Sequence, residues 1–206
     1  IIPNEIDISR FEEQKKSKQE VRQELGINTT DPIVLFVHRL SKRKGTLNLP
    51  PIIENTNKQV KNAKFIIAGD GPNRKDLEDE LEKRQIDNVT LTGWIPNKKI
   101  QKYFYAADVY IMPSDEEGFP RVLLEAMACG IPFVVSNVGG VRDILTQEQQ
   151  EFMITKGDFN AFSQKLAQLL NNKQKQEQLI RIGKERVKEF DMKLVAKQYI
   201  EKIANS

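Results

Sequence analysis

The stretch SDEEGFPRVLLEAMACG, residues 114–130, holds three consecutive carboxylates, Asp115, Glu116 and Glu117, and a fourth, Glu125, inside an apolar run. Pro120 suits the first position of a helix, Arg121 to Cys129 are mostly strong helix formers, and Gly130 followed by Pro132 ends it. Glu125 therefore sits on an element whose other residues favour burial, and a buried carboxylate is costly unless it finds partners. A second stretch, HRLSKRKG at 38–45, carries Arg39, Lys42, Arg43 and Lys44 within six residues, beside His38, the sole histidine. Carboxylates accept hydrogen bonds from hydroxyl groups, whereas cations and glycine amides hold phosphates. A phosphate-bearing ligand with hydroxyl-rich ends would use both stretches.

The elements that must position these residues are legible in the hydrophobic pattern. Apolar runs at 33–37, 64–69, 89–93, 108–113, 132–136 and, more weakly, 152–155 are rich in Val, Ile and Phe, and are bounded by Gly, Pro, Asp or Asn. They lack the polar alternation of half-exposed strands, so they read as buried ones. Helical patterns lie between them at 46–62, 73–85, 97–106, 120–129 and 140–146. The alternation predicts an α/β fold, a Rossmann-like parallel six-stranded sheet flanked by helices. Beyond residue 156 come three helical segments without strands, at 158–171, 173–188 and 191–204. The expected organisation is one domain: a linker segment over 1–30, an α/β core over 31–156 and C-terminal helices over 157–206. Ligands of such sheets bind at the carboxyl ends of the strands. The loops there are 38–45, GDGPN at 69–73, GWIPN at 93–97, SDEEGFP at 114–120 and SNVGGVRD at 136–143.

Composition removes several classes. Of 206 residues, 39% are apolar and 30% charged, ordinary for a globular chain, and a net charge of +3 is too small to argue for nucleic acid. One cysteine rules out an internal disulfide and fits a reducing compartment; Cys129 itself reads as packing. No apolar run approaches bilayer-spanning length. The chain opens IIPNEID without methionine and reads as a fragment whose natural N-terminus lies elsewhere. No Walker sequence, GxGxxG or Gly-x-Ser-x-Gly is present. No D-x-D stands at a strand end, close acid pairs such as Glu78 and Glu80 lie on a charged helix, and a lone histidine builds no metal cluster, so no metal is expected. For His38, ligand contact and plain loop filling are equally open.

PNEID, HRL…KG, GDGP, GW, AADVYIMPS, EEGFPRVLLEAMACG and VGG follow one another in the order and spacing of the C-terminal half of GT-B glycosyltransferases. The chain resembles the large retaining family 4 among them, the glycosyl transferases group 1, from residue 3 to FDMKLVA at 190–196. The most diagnostic piece is E-x7-E, here Glu117 to Glu125. Three features depart from the family pattern: Glu5 and His38 where Gly is usual, and LNLPPII after Lys44. The resemblance implies the donor-binding half of a retaining, metal-independent, cofactor-free glycosyltransferase that takes its sugar from a UDP- or GDP-linked nucleotide diphosphate sugar. It implies catalytic roles for Arg39 and Lys44 on the diphosphate and for Glu117 on sugar hydroxyls. Glu125 would grip the ribose hydroxyls, and free N–H groups from Arg121 to Leu123, with Val122 between them, would face the diphosphate. Gly118, Phe119 and Pro120 complete that loop, while Trp94 and Ile95 would touch the base through backbone atoms. Gly139 and Gly140 would let backbone approach the ligand, and His38 stands beside the phosphate site. Lys42 and Arg43 are expected to face solvent, and Gly69 and Gly71 to shape their turn.

The same resemblance places the acceptor, a glycan or lipid, on an N-terminal domain absent from this chain, so the isolated fragment should transfer little or no sugar. The last helix, with Leu194, Val195, Tyr199, Ile200 and Ile203, would pack toward that domain and be partly exposed here. A cytoplasmic location is expected, and the full-length enzyme could associate peripherally with the inner face of a membrane; nucleic acid is not an expected partner. Alternatives are a catalytically inactive nucleotide-sugar-binding scaffold and a GT-B-like nucleotide-sugar epimerase.

Overall fold

The computed structural model describes residues 5–11 and 16–197. Six strands form one parallel sheet: β1 (Ile33–Val37), β2 (Lys64–Ala68), β3 (Val89–Gly93), β4 (Val109–Met112), β5 (Phe133–Ser136) and β6 (Met153–Ile154), in the order β3-β2-β1-β4-β5-β6. All six lie where the apolar runs predict them, although the last is only two residues long. Alternate side chains divide the core. Ile33, Leu35, Tyr110, Met112 and Val135 face one cluster; Val34, Phe36, Val109, Ile111 and Val134 face the other. A sheet buried on both faces needs apolar residues at every position, which is why these runs show no alternation.

The helices are α1 (Lys18–Glu24), α2 (Leu49–Asn57), α3 (Arg74–Lys83), α4 (Asn97–Ala106), α5 (Arg121–Ala128), α6 (Val141–Ile144), α7 (Phe159–Leu170) and α8 (Lys173–Val187). Leucines and isoleucines of α2, α3 and α7 cover one face, and those of α4, α5 and α6 the other. The helix expected over 46–62 is shorter. Thr46–Asn48 form a 3-10 turn and α2 begins only at Leu49, because Pro50 and Pro51 have no N–H to donate and fit only a first turn. The pattern over 140–146 yields a single turn, α6.

The segment expected to be a linker contains α1. Ser17 caps it, accepting from the Glu20 N–H while the Glu20 carboxylate accepts from the Ser17 N–H, a capping box that S-x-x-E spells out in sequence. Arg22 then anchors the helix. Only 3% exposed, it donates to the carbonyls of Ala106 (2.8 Å), Thr29 (3.2 Å) and Asp31 (3.1 Å) and to Asp108 Oδ2 (2.7 Å). Asp108 Oδ2 also accepts the Ile33 N–H at 2.7 Å, tying α1 to the start of β1.

Near the other end of the described chain, residues 192–197 are helical. Ile6 N–H donates to the Phe190 carbonyl and Met192 N–H to the Ile6 carbonyl, each at 2.9 Å. Val195 is buried, while Met192 and Leu194 are exposed; Tyr199, Ile200 and Ile203 lie outside the described residues. Among the described residues no helix is long and apolar enough to cross a membrane. The strand order reverses between β1 and β4, which opens a crevice beyond their carboxyl ends.

Candidate functional site

At that switch point, β1 and β4 deliver the basic loop and the acidic loop side by side. The two backbones meet so closely that a Cβ on Gly45, which has φ +66°, would stand 1.8 Å from the Pro113 carbonyl oxygen. The N–H groups of Asp115 and Glu116 both donate to the Arg43 carbonyl, at 2.9 and 3.1 Å. Asn48 Nδ2 donates to the Pro113 carbonyl and to Asp115 Oδ1 at 2.9 and 3.1 Å.

This clamp sorts the three consecutive acids. Asp115 accepts from Asn48 and lies 3.7 Å from Lys156 Nζ. Glu116 is exposed, 3.2 Å from the equally exposed Arg43. Glu117 is buried, and its carboxylate accepts from Lys44 Nζ and from Ser114 Oγ, both at 2.7 Å. The sequence reading had not assigned Ser114, the residue closing the strand run before the acids. Gly139, at φ +51°, explains the pose of the loop: a Cβ there would be 1.7 Å from the Glu117 carbonyl oxygen. Gly140 N–H donates to the Gly118 carbonyl at 2.8 Å. The glycine pair thus lies against the 117–118 backbone and seats the acidic loop.

His38 Nε2 lies 3.4 Å from Glu117 Oε1. The geometry is not that of a hydrogen bond, and the buried Nε2 has no partner among the described residues. Burial, and then the Lys44 charge, push the imidazole down to about 3, so it is neutral at physiological pH. The Glu117 carboxylate would favour a charged ring, but Lys44 already compensates it.

Beside these groups lies an open cleft of about 690 Å³. His38, Arg39, Trp94, Ile95, Val122 and Glu125 border it, with Gly69 and Gly71 at its edge. A Cβ on either glycine would run into the carbonyl of His38 or Leu40, at 1.9 and 2.3 Å, so both shape the turn and leave bare backbone at the rim. Arg39 is exposed and has no ion-pair partner among the described residues. Trp94 is 72% exposed, whereas Ile95 packs on the core. Glu125 is half-buried and its carboxylate, among the described residues, makes no hydrogen bond or ion pair. Burial holds its pKa above the usual carboxylate range, and the charges of Arg121 and Arg10 pull it back.

The helix start differs from expectation in two details. Pro120 is the capping residue, with α5 beginning at Arg121. The Leu123 N–H donates to the Pro120 carbonyl at 3.1 Å, so only those of Arg121 and Val122 lack an acceptor among the described residues. Phe119 turns away and packs against Phe190, ring centroids 5.7 Å apart. Glu117, Lys44, Gly139 and Gly140 do not border the cleft itself. Lys42 and Arg43 face solvent. Tyr110, fully buried, has a hydroxyl with no hydrogen-bond partner among the described residues, and burial followed by the charges of Glu117 and Glu125 raises its pKa well above the ordinary tyrosine value. Among the described residues no three His, Cys, Asp or Glu side chains converge as a metal site would require.

The model of the family of glycosyl transferases group 1 matches residues 17–186. The chain is 37% identical over 153 residues to the uncharacterized glycosyltransferase MJ1607 of Methanocaldococcus jannaschii, covering 72% of this chain and 37% of that protein. It is 30% identical over 183 residues to the UDP-Gal:alpha-D-GlcNAc-diphosphoundecaprenol alpha-1,3-galactosyltransferase of Escherichia coli, covering 84% of this chain and 45% of that one. It therefore spans less than half the length of both. The sucrose-phosphate synthase structure from Thermosynechococcus elongatus superposes with a TM-score of 0.85 at 28% identity, over all of this chain and 53% of its own.

Proposed function

The chain belongs to the glycosyl transferases group 1 family, and on that premise we propose that it is the donor-binding half of a retaining, metal-independent glycosyltransferase using a nucleotide diphosphate sugar. The observation that carries the reading is Glu125, a carboxylate held half-buried at the cleft with no hydrogen-bond or ion-pair partner among the described residues. Such a group is tolerated where a ligand supplies donors, and two adjacent ribose hydroxyls match its acceptor oxygens. The free N–H groups of Arg121 and Val122 and the positive end of α5 suit a diphosphate beside it. Arg39, at the rim and without an ion-pair partner among the described residues, offers a forked contact to phosphate oxygens.

Cleavage of the sugar–phosphate bond leaves growing negative charge on the departing oxygen. Arg39 and Lys44 would hold that charge, and loss of such a group costs roughly 10²–10³ in rate. These cations supply positive charge of the kind a metal provides in other transferases. Glu117 would receive sugar hydroxyls, and it starts from a pair with Lys44; donor binding then redistributes both charges, Lys44 toward the diphosphate and Glu117 toward the sugar. Retention, through front-face attack on an oxocarbenium-like sugar, follows the resemblance to the retaining family. A UDP-linked donor is the first choice because the E. coli relative is named for UDP-Gal. An acceptor glycan or lipid would be held by an N-terminal domain, with this chain alone transferring little or no sugar.

Calorimetric titration with UDP, GDP and ADP, without added metal, tests the reading. One nucleotide should bind clearly, and Glu125→Ala should weaken it about 10- to 100-fold, the loss of hydrogen bonds to a charged acceptor. Equal binding of that nucleotide by wild type and variant would refute the role of Glu125.

A further inference from the structure

Among the described residues, the buried side-chain polar atoms without partners are His38 Nε2, Tyr110 Oη and Gln149 Nε2. His38 and Tyr110 are close enough to Glu117 to feel it, and His38 also borders the cleft. A buried polar atom left unpaired is costly, and buried polar groups are normally paired. His38 Nε2 thus lacks, among the described residues, the partner a buried polar atom normally has, and Glu117 Oε1 is 3.4 Å from it.

The occupancy of Glu117 narrows the partner. Lys44 takes Oε2 and Ser114 takes one lone-pair direction of Oε1. Oε1 keeps acceptor capacity beyond the Ser114 bond, and His38 Nε2 stands 3.4 Å from it. Two atoms that far apart are each within hydrogen-bond reach of a single oxygen placed about 2.8 Å from both. A carboxylate only accepts, so that oxygen must donate its hydrogen to Glu117; its lone pairs are then free to accept from an imidazole N–H. A hydroxyl meets both demands with one proton. A carbonyl cannot donate to Glu117, and an anion would meet the carboxylate head-on.

We propose that His38 is a sugar-reading residue, whose Nε2–H and the Glu117 carboxylate together hold one hydroxyl of the donor's sugar. This rests on the nucleotide-sugar reading above and deepens it. His38 selects hexose donors that present a free hydroxyl at that point, and donors lacking or inverting it lose the contact. The ring donates from Nε2 and is neutral while it does so. Tyr110 is fully buried and takes no direct part.

The test uses UDP, GDP and ADP, each alone and as UDP-glucose, UDP-galactose, UDP-N-acetylglucosamine, GDP-mannose and ADP-glucose. For each, the ratio of nucleotide Kd to nucleotide-sugar Kd isolates what the sugar adds. The best sugar should raise affinity in the wild type, and His38→Ala should cut that ratio by about three- to tenfold, the worth of one neutral hydrogen bond. Because His38 is the only histidine, its imidazole ¹⁵N signals are unambiguous and need no variant. On adding the nucleotide-sugar they should report a neutral ring protonated at Nε2 and shift, with no comparable shift for the nucleoside diphosphate alone. An unchanged ratio in the variant, or imidazole signals indifferent to the sugar, overturns the inference while leaving nucleotide binding intact. Absence of any nucleotide binding overturns the nucleotide-sugar reading itself, and this inference with it.

Discussion

Acidification below pH 6.5 should destabilise this protein through His38. An unfolded histidine takes up its proton near pH 6.5, and the folded imidazole only near pH 3, because charging it means burying a cation beside Lys44. Between those values the unfolded state binds more protons, so stability is full above pH 6.5 and falls as pH falls. At pH 5 the unfolded group lies 1.5 units below its pKa, which at 1.36 kcal/mol per unit amounts to about 2 kcal/mol. Urea unfolding at pH 7 and pH 5, on wild type and His38→Gln, measures it. The wild type should lose about 2 kcal/mol more than the variant across that interval. Glu125, whose raised pKa acts in the opposite sense, is common to both proteins and cancels in the comparison. Carboxylates with lowered pKa, such as Glu24 at about 2, titrate below the interval. Imidazole signals that titrate near pH 6.5, or equal pH losses in both proteins, would refute the reasoning and show that burial imposes no net cost on charging the ring.

Lys44→Met should cost about 2–3 kcal/mol in urea unfolding, below the usual 3–5 for breaking a buried pair because the Lys44 side chain is 25% exposed; adding Glu117→Gln should recover most of it, since an amide needs no counter-charge. Arg22→Met should cost about 3–5 kcal/mol and raise hydrogen exchange in α1 and at the Ile33 amide, because Asp108 loses its buried partner. Gly139→Ala should cost about 2–3 kcal/mol and weaken donor binding in the same calorimetric titration, since the new methyl displaces the Glu117 carbonyl that sets the acidic loop.

The segment before β1 shows how far local reading reaches. Ser17 and Glu20 spell a capping box, so α1 was available to a closer reading of its first turn. The burial of Arg22 was not, because its partners Ala106 and Asp108 lie more than 80 residues away. The shortening of α2 was likewise present in Pro50 and Pro51. For the site, residue types and loops were legible, but the sorting of Asp115, Glu116 and Glu117 into clamp, surface and buried acid was not. Their adjacent positions in the chain carry no information about which one meets Lys44.

By itself the sequence determined the six strands, the helices between them and the loops that hold cations, glycines and acids. Those properties follow from periodicity and turn chemistry within a few residues. Tertiary structure alone decided that β1 lies beside β4, bringing Lys44 to Glu117 across 73 positions of chain. It also decided that the Nε2 of half-buried His38 has no hydrogen-bond partner among the described residues, and that Glu125 borders the cleft while Glu117 does not. Pairing and burial depend on which distant surfaces meet, and a burial cost acts on a charge or a lone pair only once the neighbouring strands have closed around it.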